Sequence, residues 1–448
     1  MMNPETRERT LTDHVRVAAT LPGKDAAWLV DLRGAALERF AEHGYPTIRE
    51  EDWKYTNVAR IERQAFIAAG AQLDRDATRA AAQGLVNGLA AAREVGHWLV
   101  FVDGCHVPEL SILRALPDGV VLDSLAHALA AANAGALQPY LSQHQDQTVL
   151  GDLNTAFMTD GAWLQVPAGV TVEEPIHLLF LATQGNVSVH VHNVLVADTA
   201  AHATVVEHYL GVADAVYFTN TVTQIFAGDE ASIEHYKLQQ ESERAFHVAG
   251  IHAQQSRDSK LESHSVSVGA ALARNDITTN FAASGCHVTL NGLYLAGNRQ
   301  HIDNHTRVDH RAPSGTSREY YRGVMNGAAH AVFNGKVVVH RDAQKTNAHQ
   351  ANHNLLLSRD AEIDTKPQLE IYADDVECTH GATIGQIDEQ QLFYLRSRGI
   401  DEGMAHNLLV HAFAHDVIER IRVPSLRSQL EQILFARLPQ GDKIRELA

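Results

Sequence analysis

Apolar positions recur at a nearly constant spacing in the middle of the chain, and this regularity limits the folds open to it. Four segments share a turn, a small residue, an apolar residue and a polar one; their apolar positions are Val206, Ile233, Leu261 and Val288, which lie 27, 28 and 27 residues apart. The coils of a solenoid have nearly constant length because each strand stacks on its predecessor at a fixed spacing. The spacing therefore favours a parallel β-helix over a propeller, whose blades need roughly 40 residues each.

The sequence around these positions contains many short runs typical of strands. From Trp163 to about Gly385, apolar and polar residues alternate in runs separated by small polar turns, with no convincing helix between them. We therefore predict a mainly β protein with a parallel β-helix core. The core is predicted over residues 163–385, between an N-terminal, mainly helical region (1–162) and a C-terminal helical region (386–448).

The N-terminal region shows helical spacing. Apolar residues predict a helix over Ala26 to His43, with Asp25 as its N-cap and Gly44 beyond its end. Further helices are predicted over residues 74–95, 122–141 and 149–159. One hairpin is predicted over residues 98–107, around the Asp103-Gly104 turn.

Two helices are predicted in the C-terminal region, over residues 400–421 and 426–438, with Gly399 before the first and Pro424 after it. They can cap the open end of the solenoid, as terminal units must for solubility, or they can present a docking surface to a partner. These two interpretations are compatible.

Composition and charge exclude several classes of protein. A net charge of −17 argues against a nucleic-acid or anionic-membrane surface, because such surfaces need excess Lys and Arg. No apolar run approaches the 18 or so residues of a membrane span, and the first residues lack the apolar stretch of a secretory signal. Cys105, Cys286 and Cys378 lie far apart without a CxxC pair, which indicates free thiols. We expect a cytoplasmic protein.

Motifs of common enzymes are absent from the sequence. There is no GxxxxGK[ST] phosphate loop, no GxGxxG dinucleotide motif and no GxSxG nucleophile motif. None of the 27 histidines lies in an HExxH or zinc-finger spacing. We therefore expect a non-catalytic protein without a tightly bound cofactor.

One pair of candidate metal ligands stands out near the end of the β region. Cys378 and His380 are two residues apart, so both side chains leave the same face of an extended strand. Thiolate and imidazole together suit iron or zinc. Upstream, Asp374, Asp375 and Glu377 add acidic character that favours a cation. Two ligands do not make a complete site, and a free cysteine is more often a small buried apolar residue.

The segment that holds this pair, KPQLEIYADDVECTHGATIGQIDEQQLFYLRSRGI, strongly resembles the C-terminal part of the SufD family. Shorter matching strings occur in the family's order along the chain: REEDWKYTNV, VPAGVTVEEPIHL, AVFNGKVVV and NHNLLLS. The related SufB family is less similar, since the CTHG string and the N-terminal tryptophan motif are SufD-like. The chain departs from the family at His349 and His353, where histidine is unexpected; their role is left open.

The resemblance implies a right-handed parallel β-helix and a scaffold role in the SufBCD complex of the SUF system. It implies pairing with SufB through the β-helix and docking of the ATPase SufC on the C-terminal helical region. Whether the isolated chain forms a homodimer is left open. His380 matches the family histidine that lies at the SufB interface and serves cluster assembly with a SufB cysteine. Cys378 matches the cysteine of the same family motif and is the second candidate ligand. Transient iron or a nascent iron–sulfur cluster is expected there.

Two other functions remain open at this point. Some β-helix proteins are carbohydrate-active enzymes such as polysaccharide lyases, but these are typically exported and lack the two helical regions. The chain can also be a purely structural partner in which the Cys378–His380 string only packs. Stable co-purification with an ABC-type ATPase distinguishes the scaffold from the lyase.

Overall fold

A computed structural model of the chain describes residues 4–69, 75–89, 92–131, 134–143 and 148–438. Its middle part winds into a β-helix in which successive strands alternate between two sheets of ten strands each. The strands are β1 Ile67–Ala68, β2 His97–Val102, β3 Cys105–His106, β4 Val121–Ser124, β5 Ala162–Val166, β6 Ile176–Ala182, β7 Val187–Ala197, β8 His202–Gly211, β9 Phe218–Ala227, β10 Ser232–Gln240, β11 Phe246–Gln255, β12 Lys260–Ser267, β13 Leu272–Phe281, β14 His287–Ala296, β15 His301–His310, β16 Thr316–Met325, β17 His330–Val339, β18 Thr346–Leu356, β19 Glu362–Ile371 and β20 Val376–Gly385.

All strand pairs from β5 to β20 are parallel, so the β-helix predicted from the repeat is confirmed. One sheet runs in the order β19-β17-β15-β13-β11-β9-β7-β5-β4, and the other in the order β20-β18-β16-β14-β12-β10-β8-β6-β2-β3. Each coil contributes one strand to each sheet.

The register confirms three of the four aligned repeat positions and corrects the fourth. Ile233, Leu261 and Val288 are stacked partners on β10, β12 and β14. Val206, however, pairs with Tyr236, and the true partner of Ile233 is Ala203. The alignment was wrong because this coil is 30 residues long, and because Val206 is an apolar residue of the outer face, where it packs beneath the C-terminal helices.

Side chains on alternate positions fill the space between the two sheets. The interior includes aliphatic residues and stacked rings such as Tyr294 and Tyr321, both almost fully buried. Where a ring lies inside, the neighbouring coil has a glycine: Gly292 is the stacking partner of Tyr321, and Gly323 that of Tyr294. The coils are thus complementary in volume, as expected for a close-packed interior.

The helices flank this core, and three of the N-terminal predictions are confirmed. These are the helix over Ala26 to His43, the helix over 149–159 and the hairpin of β2 and β3. The first of these helices starts after Ala26, which caps it without a side-chain bond, so the cap predicted at Asp25 is wrong. The helices are α1 Pro4–Ala18, α2 Ala27–His43, α3 Ala59–Gln64, α4 Arg75–Asn87, α5 Leu125–Ala130, α6 Gln138–Leu141, α7 Val149–Phe157, α8 Glu389–Ser397, α9 Glu402–Ile418 and α10 Pro424–Arg437.

Other predictions for the N-terminal region need correction. The helix predicted over residues 122–141 is interrupted: β4 occupies its start and pairs antiparallel with β5. The helix predicted over 74–95 begins at Arg75 and ends at Asn87, and residue 74 lies outside the described residues. Because β1, β2 and β4 join the two sheets, the N-terminal region is continuous with the β-helix. The division at residue 163 stays a prediction.

A short N-terminal segment is fixed to the outside of the β-helix by a buried cation. The guanidinium of Arg274 lies 3.7 Å from the centre of the Trp53 ring and 2.8 Å from a carboxylate oxygen of Asp303. Thr56 Oγ1 donates a hydrogen bond to the same carboxylate at 2.5 Å. Glu51, in the same segment, contacts Lys366 on β19. Residues 51–56 therefore bind coils that are almost a hundred residues apart in sequence.

The C-terminal helices lie against the side of the β-helix. Buried residues of α9 and α10, including Val417, Leu430 and Leu434, pack on outward-facing residues of β8, β10, β12, β14 and β16. The interpretation that these helices cap the open end is therefore wrong: the outer face of this sheet is apolar, and the helices cover it. Pro424 begins α10, and α8 was not predicted. No helix in the described ranges has the length and hydropathy needed to cross a membrane.

The fit between Gly292 and Tyr321 provides a test of the interior packing. A Cβ at Gly292 would lie 2.0 Å from Cε1 of the fully buried Tyr321 ring, which cannot move away. We expect Gly292→Ala to lower the free energy of unfolding by about 1–3 kcal/mol, as overpacking does. Gly381→Ala is the matched control, because nothing lies within 4 Å of its added Cβ. Equal thermal unfolding temperatures for both variants would contradict this packing.

Candidate functional site

The candidate site lies at the C-terminal end of the β-helix, where the last coil has no coil stacked on it. Among the described strands, β19 pairs only with β17, and β20 pairs only with β18. Three apolar side chains of this coil are exposed: Ile371 (41 %), Tyr372 (63 %) and Ile384 (53 %). A free strand edge with exposed apolar residues is typical of a surface that pairs with another chain.

Cys378 and His380 lie on β20, on the face that continues the interior of the β-helix. Their stacked partners on β18 are Ala348 and Gln350, both buried. The prediction that both side chains leave the same face of the strand is therefore confirmed. Because no further coil covers this face, His380 is exposed and Cys378 is only half-buried. Their role as metal ligands stays a prediction.

The Cys378 thiol packs at the edge of a small apolar cluster that includes Val337, Val339 and Ala348. Burial raises the pKa of this thiol above its ordinary value, and burial outweighs a hydrogen bond with the Ala348 backbone that lowers it. The thiol is therefore protonated near neutral pH in the free chain. It can become a thiolate ligand only when a metal or a partner's charge stabilises the anion.

Of the acidic residues predicted to favour a cation, Glu377 faces away from this pair. Glu377 immediately precedes Cys378, so its side chain lies on the outward face of β20. Its carboxylate accepts a hydrogen bond from Asn347 at 3.0 Å. Within the described residues, no third His, Cys, Asp or Glu joins Cys378 and His380 in a metal-sized group. With two ligands from this chain, the site is incomplete by itself.

A buried polar column lies directly beneath His380 in the stack. Gln350 and Glu319 are its partners on the two preceding coils. Glu319 accepts hydrogen bonds from Thr306 at 2.5 Å and from Gln350 at 3.2 Å. Burial raises the pKa of Glu319 to about 7, although both hydrogen bonds act to lower it. Gln350 Oε1 has no hydrogen-bond partner among the described residues. The interior is thus polar beneath His380 and apolar beneath Cys378.

Sequence reasoning missed Gln350 and Glu319 because it did not follow the columns of the β-helix. Every residue of β20 stacks on a residue about 30 positions earlier, so a correct register would have placed both beneath His380. Their polarity at interior positions is the signal that was available.

The two unexpected histidines face outward. His349 shares a hydrogen bond of 2.5 Å with Thr379, and His353 one of 2.8 Å with Thr383. Each bond joins neighbouring strands on the outer face, away from the side chains of Cys378 and His380. The structure therefore gives both histidines a role in joining β18 to β20.

Comparison with known proteins connects this architecture to a family. A family model described as "SUF system FeS cluster assembly, SufBD core domain" matches residues 180–413, and one described as "SufBD protein N-terminal region" matches residues 8–178. An iron–sulfur cluster assembly SufBD family protein of Synechocystis is 34 % identical over 430 residues, which cover 94 % of this chain and 93 % of the relative.

Two further relatives carry the name iron–sulfur cluster assembly protein SufD. The one from Escherichia coli is 32 % identical over 428 residues, 90 % of this chain and 92 % of the relative. The one from Bacillus subtilis is 27 % identical over 427 residues, 92 % of this chain and 94 % of the relative. The matches thus extend over nearly the whole chain, including the coil that holds the candidate site.

Replacement of Glu319 tests the energetics of the polar column. A folded-state pKa of about 7, above an ordinary 4.5, means that ionisation destabilises the folded protein. Stability is therefore lost as pH rises through that window, by roughly 3 kcal/mol once ionisation is complete. We expect Glu319→Gln to unfold at a higher temperature than the wild type at pH 8 but not below pH 4.5, because the neutral amide carries no charge.

The matched control is Glu362→Gln, at an exposed position of β19. We expect this variant to unfold with the wild-type pH dependence. A Glu319→Gln protein that is less stable than the wild type at pH 8 would show that the buried carboxylate stabilises the fold when ionised.

Proposed function

Because the chain belongs to the SufBD family of iron–sulfur cluster assembly proteins, we propose that it is the SufD-type scaffold subunit of a SUF complex with SufB and SufC. The observation that carries this proposal is the open last coil, which presents Cys378 and His380 from its interior face. In this role the chain is non-catalytic. Its three free cysteines are consistent with the reducing conditions of the cytoplasm, where we place it.

We propose that SufB pairs with this chain through the last coil. The free edges of β19 and β20 present unpaired backbone groups, which a second β-helix can satisfy by adding its own strands. Association would also bury the exposed Ile371, Tyr372 and Ile384 side chains. Without SufB, a second copy of this chain can use the same edges to form a homodimer.

Within that interface, His380 and Cys378 would bind iron or a nascent cluster transiently. A neutral imidazole is a good ligand for iron, and an exposed one can reach a partner. Since this chain supplies two ligands, the remaining ligands must come from SufB. The protonated Cys378 thiol fits a ligand that is recruited only when metal arrives. The cluster is cargo here and leaves the complex.

We propose that SufC docks on the C-terminal helical region, with α8 as a central element. This helix has no buried residue, and its Phe393 and Tyr394 side chains are 73 % and 57 % exposed. Exposed aromatic residues are the commonest anchors of protein interfaces. A scaffold without a phosphate loop of its own depends on such a contact for ATP hydrolysis.

The first prediction of this proposal concerns His380. We expect His380→Ala to leave the fold and the complex intact, because the side chain is exposed and contributes little packing. Cluster formation on the reconstituted complex should fall at least about tenfold, since a metal ligand is lost. The measurement is transfer of clusters to an apo-ferredoxin, followed by its absorbance, alongside size-exclusion chromatography of the complex.

The control is His349→Ala, which removes a histidine from the outer face of the preceding strand. This variant should assemble clusters at the wild-type rate. Cys378→Ala should be as severe as His380→Ala if the thiol is a ligand, and milder if it only packs. A His380→Ala complex that matures clusters at the wild-type rate would remove this residue from the mechanism.

The second prediction concerns SufC. The double variant Phe393→Ser/Tyr394→Ser should weaken co-purification with the ATPase while SufB pairing persists, because the two side chains contribute no core packing. Val15→Ser/Val30→Ser, which changes two exposed residues of α1 and α2, is the control. ATPase binding that is unchanged in the α8 variant would place the docking site elsewhere.

A further inference from the structure

A second group of potential metal ligands lies on the C-terminal helix pair. The imidazoles of His411 and His415 and the carboxylate of Glu431 place one donor atom each within 4.8 Å of one another. Among the described residues, no other group of three or more His, Cys, Asp or Glu side chains meets this condition. The group lies on α9 and α10, which pack on the side of the β-helix, so it is separate from the last coil.

The helical period brings the two histidines together. His411 and His415 are four residues apart on α9, so their rings lie on one face, with centroids 5.4 Å apart. Glu431 comes from α10 and accepts a hydrogen bond from each ring: 3.0 Å from His411 Nε2 and 2.5 Å from His415 Nδ1. The three side chains are 14 %, 40 % and 19 % exposed, in the order His411, His415 and Glu431. The group is therefore sheltered but open to solvent on one side.

Neighbouring side chains hold the ligands in place. The Phe435 ring stacks on His411 with an interplanar angle of 3°. Glu419 lies 4.0 Å from Nε2 of His415, the ring nitrogen that Glu431 does not contact. A carboxylate near the second ring nitrogen is the usual companion of a metal-bound histidine, because it fixes the ring and its tautomer. The helices beneath are anchored by the buried Leu430 and Leu434.

We propose that His411, His415 and Glu431 bind one divalent first-row transition ion, such as Zn²⁺ or Fe²⁺. Two imidazoles and one carboxylate are an established donor set for both ions, and they leave positions for water or for a donor from another molecule. In the ion-free chain, the protons of two imidazole N–H groups occupy the space between the three donors. The ion takes their place, and each neutral imidazole keeps its one N–H proton on the other ring nitrogen, Nδ1 of His411 and Nε2 of His415. The ion then joins α9 to α10.

The alternative is a hydrogen-bonded group without a metal. Burial opposes the ionisation of Glu431, but hydrogen bonds from His411 and His415 outweigh it and lower the pKa of that carboxyl. This arrangement stabilises the helix pair with or without an ion. The two possibilities differ in whether stability and visible absorbance depend on added metal.

The test is a titration of the full-length protein, stripped of metal with chelator, with Co²⁺. We expect a ligand-field absorption band that saturates at one equivalent. His411→Ala, His415→Ala and Glu431→Gln should each weaken binding at least about tenfold. The matched control is His406→Ala, a partly exposed histidine of the same helix outside the group, which should bind as the wild type does.

Thermal unfolding supplies a second measurement, because an ion that binds only the folded chain raises its unfolding temperature. Zn²⁺ should raise the unfolding temperature of the wild type and of His406→Ala, but not that of Glu431→Gln. Absence of a Co²⁺ band, or equal affinity in all variants, would overturn the proposal. Because these residues lie apart from Cys378 and His380, either result leaves the proposed scaffold function untouched.

Discussion

The structure depends on one constraint: parallel, in-register stacking, which places each residue above its equivalent on the previous coil. The position of a side chain at the end of the stack therefore depends on the register of all the coils below it. The two ends differ in kind. At the first end the sheets finish in the antiparallel strands β3 and β4, whereas at the last end the parallel edges of β19 and β20 are free. At the free end the interior face of the last coil reaches solvent, as the exposed His380 shows.

The polar groups inside the β-helix make its register specific. Apolar residues could stack in several registers with similar energy, but a buried charge needs particular partners. The fully buried Glu207 accepts hydrogen bonds from Thr223 on β9 and contacts His235 on β10, so it joins three successive strands. A slip of one residue would move the carboxylate away from both. Such groups offer little net stability but penalise every wrong arrangement.

Sequence reasoning succeeded where the physics is local and periodic. Strand alternation placed Cys378 and His380 on one face, and the repeat spacing predicted the β-helix. It failed where placement depends on the exact lengths of several coils. From Ala203 to Cys378 the stacked positions are 27 to 31 residues apart, so Val206 was assigned to the wrong column and the column beneath His380 was not found. The docking of the C-terminal helices on a side face is a tertiary choice that helical periodicity does not encode.

The segment that contains Trp53 and Thr56 changes how such a stack can come apart. A solenoid held only by contacts between neighbouring coils would fray gradually from its free end. Here one short stretch binds Arg274 and Asp303 in the middle of the stack and reaches Lys366 on the last coil. Melting of the last coil is thereby coupled to the release of that stretch from the middle coils. The free edge of the last coil is therefore linked to the body of the molecule by a contact other than its stacking on the preceding coil.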